Sequence, residues 1–110
     1  MISTDAIRGF TDTMILFLLL EEPSYGYEVS KRIRQLSEER YVMKETTLYS
    51  AFTRLSKKGY IESFEGQESN GKQRIYYKIT DEGKAYYREK CDEWLQIQSI
   101  IPNFININGI

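Results

Sequence analysis

Leu48, Ala51, Phe52 and Leu55 constrain the fold of this chain more than any other residues. They fall at i, i+3, i+4 and i+7, which places them on one stripe of an α-helix. Between them, Thr46, Thr47, Tyr49, Ser50, Thr53, Arg54 and Lys57 make an outward face of hydroxyls and cations. Gly59 ends the helix and a strand-like run follows at once. A short helix with one buried stripe and one face of donors has what an element needs to enter a DNA groove.

The rest of the chain is read around that helix. Asp5 to Glu21 predicts a first helix, with Ile7, Phe10, Met14, Phe17 and Leu18 at helical spacing. The run from Met14 to Leu20 is apolar nearly all round, so it needs cover on more than one side, and a second subunit is the natural source. Pro23-Ser24 breaks the run, and Ser24 is expected to cap a second helix whose inner stripe is Val29, Ile33 and Leu36. Tyr41-Val42-Met43 reads as a short extended link into the third helix. Tyr60 to Phe64 and Arg74 to Ile79 are β-rich and flank a polar tip, Glu65 to Gln73, containing Asn70-Gly71, which predicts a β-hairpin. Thr80 caps a last helix with Asp81 and Glu82 in its first turn; it runs to about Ile101 and stops at Pro102.

Helix, helix, helix, hairpin, helix is the order of a winged helix-turn-helix, mainly α with a β-hairpin wing (α+β). The expected division is a DNA-binding domain over 1–80, a C-terminal dimerisation helix over 81–102, and a tail over 103–110. At 110 residues the chain has room for one modest core. No apolar run approaches the roughly 20 residues needed to span a bilayer, and the N-terminus lacks the pattern of a secretory signal. The single cysteine, Cys91, cannot form an intrachain disulfide, in keeping with a reducing cytoplasm. Histidine is absent, so a histidine base or metal ligand is excluded. Net charge is −1, yet Lys31 to Lys58 holds eight basic residues against three acidic ones, a local basic footprint in an acidic protein.

Three ordered motifs resemble the PadR family of bacterial transcriptional regulators over roughly residues 7 to 95. Tyr25-Gly26-Tyr27-Glu28-Val29 resembles the opening of that family's second helix. Thr47-Leu48-Tyr49, with Leu55 and Gly59-Tyr60-Ile61, resembles its recognition helix and the entry to the wing. Arg74-Ile75-Tyr76-Tyr77-Lys78-Ile79-Thr80-Asp81-Glu82-Gly83 resembles the wing's return strand and the start of the last helix. Two positions depart from the pattern: Ser50 stands where the family usually has proline, and Thr46 where it often has a small residue. The resemblance implies a DNA-binding regulator, a homodimer formed through the first and last helices, and a repressor's sign of action. The short last helix is similar to a compact branch in which the dimer encloses a pore for flat hydrophobic compounds.

The candidate DNA contacts are Lys44, Thr46, Thr47, Tyr49, Ser50, Arg54 and Lys57 on or beside the third helix, and Lys72 and Arg74 on the wing. Lys44 is a poor N-cap residue, and a nearby phosphate would relieve that conflict. Tyr25 either sets its hydroxyl on a phosphate or simply packs, and Gly26 is expected to permit close helix approach. At least one of Tyr76 and Tyr77 is expected in the core. In the last helix, Tyr87, Cys91, Trp94, Gln98 and Ile101 repeat at four-and-three spacing, a seam suited to pairing with another helix. Trp94 is either an interface anchor or, as the compact branch implies, half of an aromatic sandwich around a planar ligand, with Gly9, Asp12, Thr13 and Gln98 lining the same cavity. No catalytic constellation, phosphate loop, metal spacing or cofactor signature is present. A winged-helix module that binds only proteins is the alternative reading.

Overall fold

The computed structural model describes residues 1–68 and 70–109; Ser69 in the hairpin tip and Ile110 at the end of the tail lie outside the described residues. Residues from four elements and a linker converge on one core. Ile15, Leu16, Leu18 and Leu19 come from helix α2 (Thr11–Glu21), and Val29 and Ile33 from α3 (Gly26–Leu36). Leu48, Ala51, Phe52 and Leu55 come from α4 (Glu45–Lys57), so the stripe read from sequence is the buried face of the third helix. Ile61 enters from strand β2 (Ile61–Gln67). The link before α4 is extended and buries Tyr41 and Met43 while exposing Val42, the alternation that a strand-like segment on a core surface requires.

Strand β3 (Gln73–Ile79) pairs antiparallel with β2 in the register Ile61↔Ile79 to Gln67↔Gln73, which is the expected hairpin with longer strands. Its other edge pairs with β1 (Ser24–Tyr25), giving the order β1-β3-β2. Ser24 is therefore a strand residue and not the predicted cap. Its backbone faces Tyr77, and the residue before α3 is Tyr25, whose side chain makes no capping bond. Tyr77 stacks on Phe52 at 4.0 Å, which makes it the core member of the tyrosine pair.

The first predicted helix is broken. A short α1 (Thr4–Ile7), capped by Ser3, and a 3-10 turn (Arg8–Phe10) precede α2. Thr11 Oγ1 donates to the Arg8 carbonyl across that junction. Of the predicted stripe, Leu18 lies in the core and Ile7 and Met14 pack against it. Phe17 is 40% exposed and Phe10 half-buried, because they lie against Tyr87 and Trp94 of helix α5 (Asp81–Ile100), while Ile15, Leu16 and Leu19 turn inward. Leu36, placed in the inner stripe of the second helix, is 58% exposed. It is the last residue of α3, and Glu38 and Glu39 then take positive φ and swing the chain away before anything covers it.

Gly59, at φ 78, closes α4 as expected. Thr80 caps α5 through Gly83 N–H and also donates to the Gly59 carbonyl at 2.6 Å, tying the start of α5 to the end of α4. Gly83 is required there. A Cβ on it would strike the Tyr60 carbonyl and lie 2.8 Å from Ile79 Cγ1. From this anchor α5 runs along α2 and then outward, ending in a 3-10 turn (Ile101–Phe104) that contains Pro102. The long axis of the molecule is 56 Å as a result.

Candidate nucleic-acid interface

Helix α4 is amphipathic by its sequence and lies with Leu48, Ala51, Phe52 and Leu55 inward, so its remaining residues must face outward. Thr46, Ser50, Thr53 and Lys57 are exposed, Tyr49 is half-exposed and Thr47 is more covered. Lys44 occupies the N-cap position and makes no capping bond, leaving first-turn N–H groups open toward the outer face. Among the described residues neither Lys44 nor Lys57 has an acidic partner at ion-pair distance. Two cations and several hydroxyls are thus available on one face.

Arg54 is placed differently from its neighbours. Its Nη2 and Nε both donate to the Asp12 carboxylate on α2. Arg54 is an expected DNA contact and Asp12 an expected wall of the effector cavity, and the fold joins them. Arg8, Thr11, Thr46, Thr47, Ser50 and Arg54 surround a shallow open pocket beside this pair. Arg8, 73% exposed at its side chain and paired with neighbouring Asp5, also borders this pocket, a position that sequence reading did not single out.

A cleft of about 630 Å³ separates the start of α3, helix α4 and the wing, with Tyr25, Tyr27, Ser30, Tyr49, Gln73 and Arg74 on its walls. Gly26 opens its floor. A Cβ there would lie 2.9 Å from Tyr49 Cζ, so the Tyr49 ring can lean across the end of α3 only because Gly26 has no side chain. Close approach is the role expected for this glycine. Tyr25 both packs and bonds: its ring is 5.1 Å from that of Tyr76, and its hydroxyl donates to Glu68 Oε1 at 2.6 Å. Arg74 Nε donates to Glu68 Oε2 at 2.9 Å, and the guanidinium lies 5.7 Å from the Tyr25 ring centre.

Glu68 is consequently the hub of the wing, and sequence reading missed it. Its contact with Tyr25 spans 43 positions, and no local spacing signals a pairing of that range. The Tyr25 hydroxyl, and then Arg74, hold the Glu68 carboxyl below the usual carboxylate range. The same bond, helped by burial and by the charge of Glu68, pushes the Tyr25 phenol up to about 12. At the tip, Gly71 takes φ 86 and Asn70 Oδ1 accepts from Lys72 N–H at 3.0 Å, which leaves the Lys72 side chain exposed.

The residues expected to line an effector cavity lie around the α2–α5 contact. Trp94 packs edge-on against Phe10 at 5.4 Å and remains 45% exposed. Gly9 and Gln98 are exposed, Thr13 is half-buried, and Asp12 is held by Arg54. Of the predicted seam, Tyr87, beside Phe17 of α2, and Cys91 are half-buried, whereas Gln98 and Ile101 are uncovered. Among the described residues no three acidic or cysteine groups are placed to hold a metal ion, and no helix is long and apolar enough to cross a membrane.

Comparison with known proteins agrees with this geometry. The family model described as the transcriptional regulator PadR-like family matches residues 15–89. A transcriptional regulator from Clostridium thermocellum is 55% identical, with a TM-score of 0.87 over 96% of this chain and 100% of the other. A PadR family transcription regulator from Clostridium difficile R20291 is 35% identical, with a TM-score of 0.76 over 89% of this chain and 100% of its own. An uncharacterised protein of Lysinibacillus sphaericus is 45% identical over 96% of both chains.

Proposed function

Because this chain belongs to the PadR-like family of transcriptional regulators, and is thereby a DNA-binding regulator and not an enzyme, we propose that it acts as a homodimeric repressor on a palindromic operator. Helix α4 of each protomer enters the major groove, and the wings hold the flanking backbone. Lys44, Thr46, Thr47, Ser50 and Lys57 supply the groove and phosphate contacts of α4. Lys72 and Arg74 supply those of the wing, and Tyr25 and Tyr49 wall the cleft between them. The observation that carries this reading is the outward face of α4: unneutralised cations and hydroxyls beside an uncapped helix start, set next to a wing.

Dimerisation uses α2 with its preceding turn, and α5. Trp94 stands at that contact, where a planar hydrophobic effector between two protomers stacks on it and changes the separation of the recognition helices. Quenching of Trp94 fluorescence by planar aromatic compounds tests the effector, and a silent response across a varied panel counts against it.

Footprinting the DNA upstream of the protein's own gene tests the main reading. A protected palindrome whose affinity falls steeply with salt is expected. Salt-independent or absent DNA binding favours a winged-helix module that binds only proteins.

A further inference from the structure

Helix α4 turns by about 100° per residue, so the direction opposite its buried stripe of Leu48, Ala51, Phe52 and Leu55 follows from the spacing. Thr46, Ser50, Thr53 and Lys57 lie within about 30° of that direction, and Tyr49 and Arg54 about 70° to either side of it. Both flanking side chains have a protein partner. Arg54 donates to Asp12 of α2, and the Tyr49 ring leans over Gly26 at the start of α3. The two largest side chains of this face are therefore drawn to its margins. Thr46, Ser50 and Thr53 follow one another a turn apart in its middle, and all three are short, so the helix backbone can lie close to base edges.

Thr53 is exposed, and its hydroxyl is already committed. Oγ1 donates to the Tyr49 carbonyl one turn back at 3.0 Å. A threonine hydroxyl has a single proton, here spent within the helix, which leaves the γ-methyl as the group Thr53 offers to a partner. With Ser50, Lys57 and Lys58 it borders an open hollow of about 490 Å³ on the helix surface. An apolar carbon in the middle of a recognition face has one matching partner on the floor of the major groove. Of the four bases only thymine carries a methyl group there, and a threonine methyl packs on it. Cytosine lacks that methyl, and a purine presents its N7 acceptor to a group that cannot donate.

We propose that Thr53 is a specificity-determining residue whose γ-methyl packs on the 5-methyl of a thymine in each half-site. This rests on the reading of α4 as the recognition helix and names a base that the helix reads. The contact carries no charge, so it distinguishes sequences without adding to the salt dependence that the lysine–phosphate contacts bring. It also gives α4 a means of base recognition that does not need Arg54 to leave Asp12.

The test uses the palindromic duplex that the full-length protein selects from a random-sequence pool. Each thymine of the half-sites is replaced in turn by deoxyuridine, which removes the 5-methyl and leaves base pairing intact. At one thymine the replacement is expected to weaken binding about fourfold in a single half-site and about fifteenfold in both, the effect of one buried methyl group in each. Thr53→Ser keeps the hydroxyl and loses the methyl, and is expected to bind the thymine and deoxyuridine duplexes equally. Thr53→Val keeps the methyl and is expected to retain the discrimination. Deoxyuridine without effect at every position overturns the contact. So does discrimination that survives in Thr53→Ser or disappears in Thr53→Val. In each of these cases the selected duplex is still bound, and the recognition-helix reading stands. A pool from which the protein enriches no duplex overturns that reading and the thymine contact together.

Discussion

Arg54 and Asp12 illustrate how the fold joins a residue proposed to contact DNA to one proposed to line an effector cavity. Asp12 is 16% exposed at its side chain and Arg54 44%, so the carboxylate is the better-fixed partner and the arginine the one able to leave. While paired, Arg54 contributes little net charge to the DNA face. Asp12→Asn is expected to free that charge, tightening non-specific DNA binding and steepening the slope of log affinity against log salt by up to about one. Arg54→Ala is expected to move both quantities the other way. Fluorescence anisotropy with random-sequence duplexes at several salt concentrations measures them. If Asp12→Asn changes neither while Arg54→Ala does, the ion pair does not restrain Arg54.

At the scale of the element, the start of α4 carries a mark of compromise between folding and the proposed binding. Helix α4 begins without a capping side chain, and Lys44 sits where the helix dipole favours an acid. Lys44→Asp is expected to stabilise the protein by about 1 kcal/mol and to weaken operator binding, a trade of stability against function. Thermal unfolding and operator titration of the same variant measure the two arms, and a loss of stability refutes the capping argument.

The wing is held by Tyr25, Glu68 and Arg74, and that arrangement is sensitive to alkaline pH. Below pH 10 the Tyr25 phenol is neutral in folded and unfolded chains alike, and its bond to Glu68 contributes in full. Between pH 10 and about 12 the unfolded chain ionises first, so the contribution falls, and above that it is gone. Denaturant unfolding across this range is expected to show a decline that is shallower in Tyr25→Phe, the remainder coming from Tyr41, Tyr77 and Tyr87, whose phenols burial also pushes up. At the acid end the sign is reversed. Glu68, held low by Tyr25 and Arg74, contributes above the ordinary carboxylate range and loses that contribution as pH falls through its folded value.

At the scale of the whole molecule the dominant fact is an arm that one protomer does not cover. Helix α5 is anchored by Thr80 and Gly83, packs on α2 through Tyr87 and on the preceding 3-10 turn through Trp94, and then leaves the body. In the proposed homodimer, two recognition helices bind a palindrome together only if their spacing is fixed, and α5 is the element proposed to fix it. Ile100→Asp places a charge in the neutral arm and is expected to give a folded monomer that binds a two-half-site operator at least about 100-fold more weakly. That loss follows from the effective concentration lost when one half-site is no longer tethered to the other. Sedimentation and gel-shift assays decide it; a dimer of unchanged affinity removes α5 from the interface.

What could be read from sequence was whatever depends on neighbours a few residues apart. The Leu48–Leu55 stripe, the Gly59 stop, the Thr80 cap and the alternation along the hairpin all follow from helical and strand periodicity or local capping chemistry, and they suffice to place the outward face of α4. Gly26 and Gly83 stand out in the motifs as glycines, but what each makes room for, the Tyr49 ring and the Tyr60 carbonyl, is set by the fold. The Asp12–Arg54 pair, the Glu68 hub, strand β1 and the exposure of Leu36 could not be read this way. Each depends on a partner far away in the chain or on where the backbone turns, and only packing in three dimensions decides such contacts. The outward face of α4 could therefore be recognised in one dimension. Whether Arg54 stands free on that face, and what holds the wing beside it, was decided by the tertiary structure.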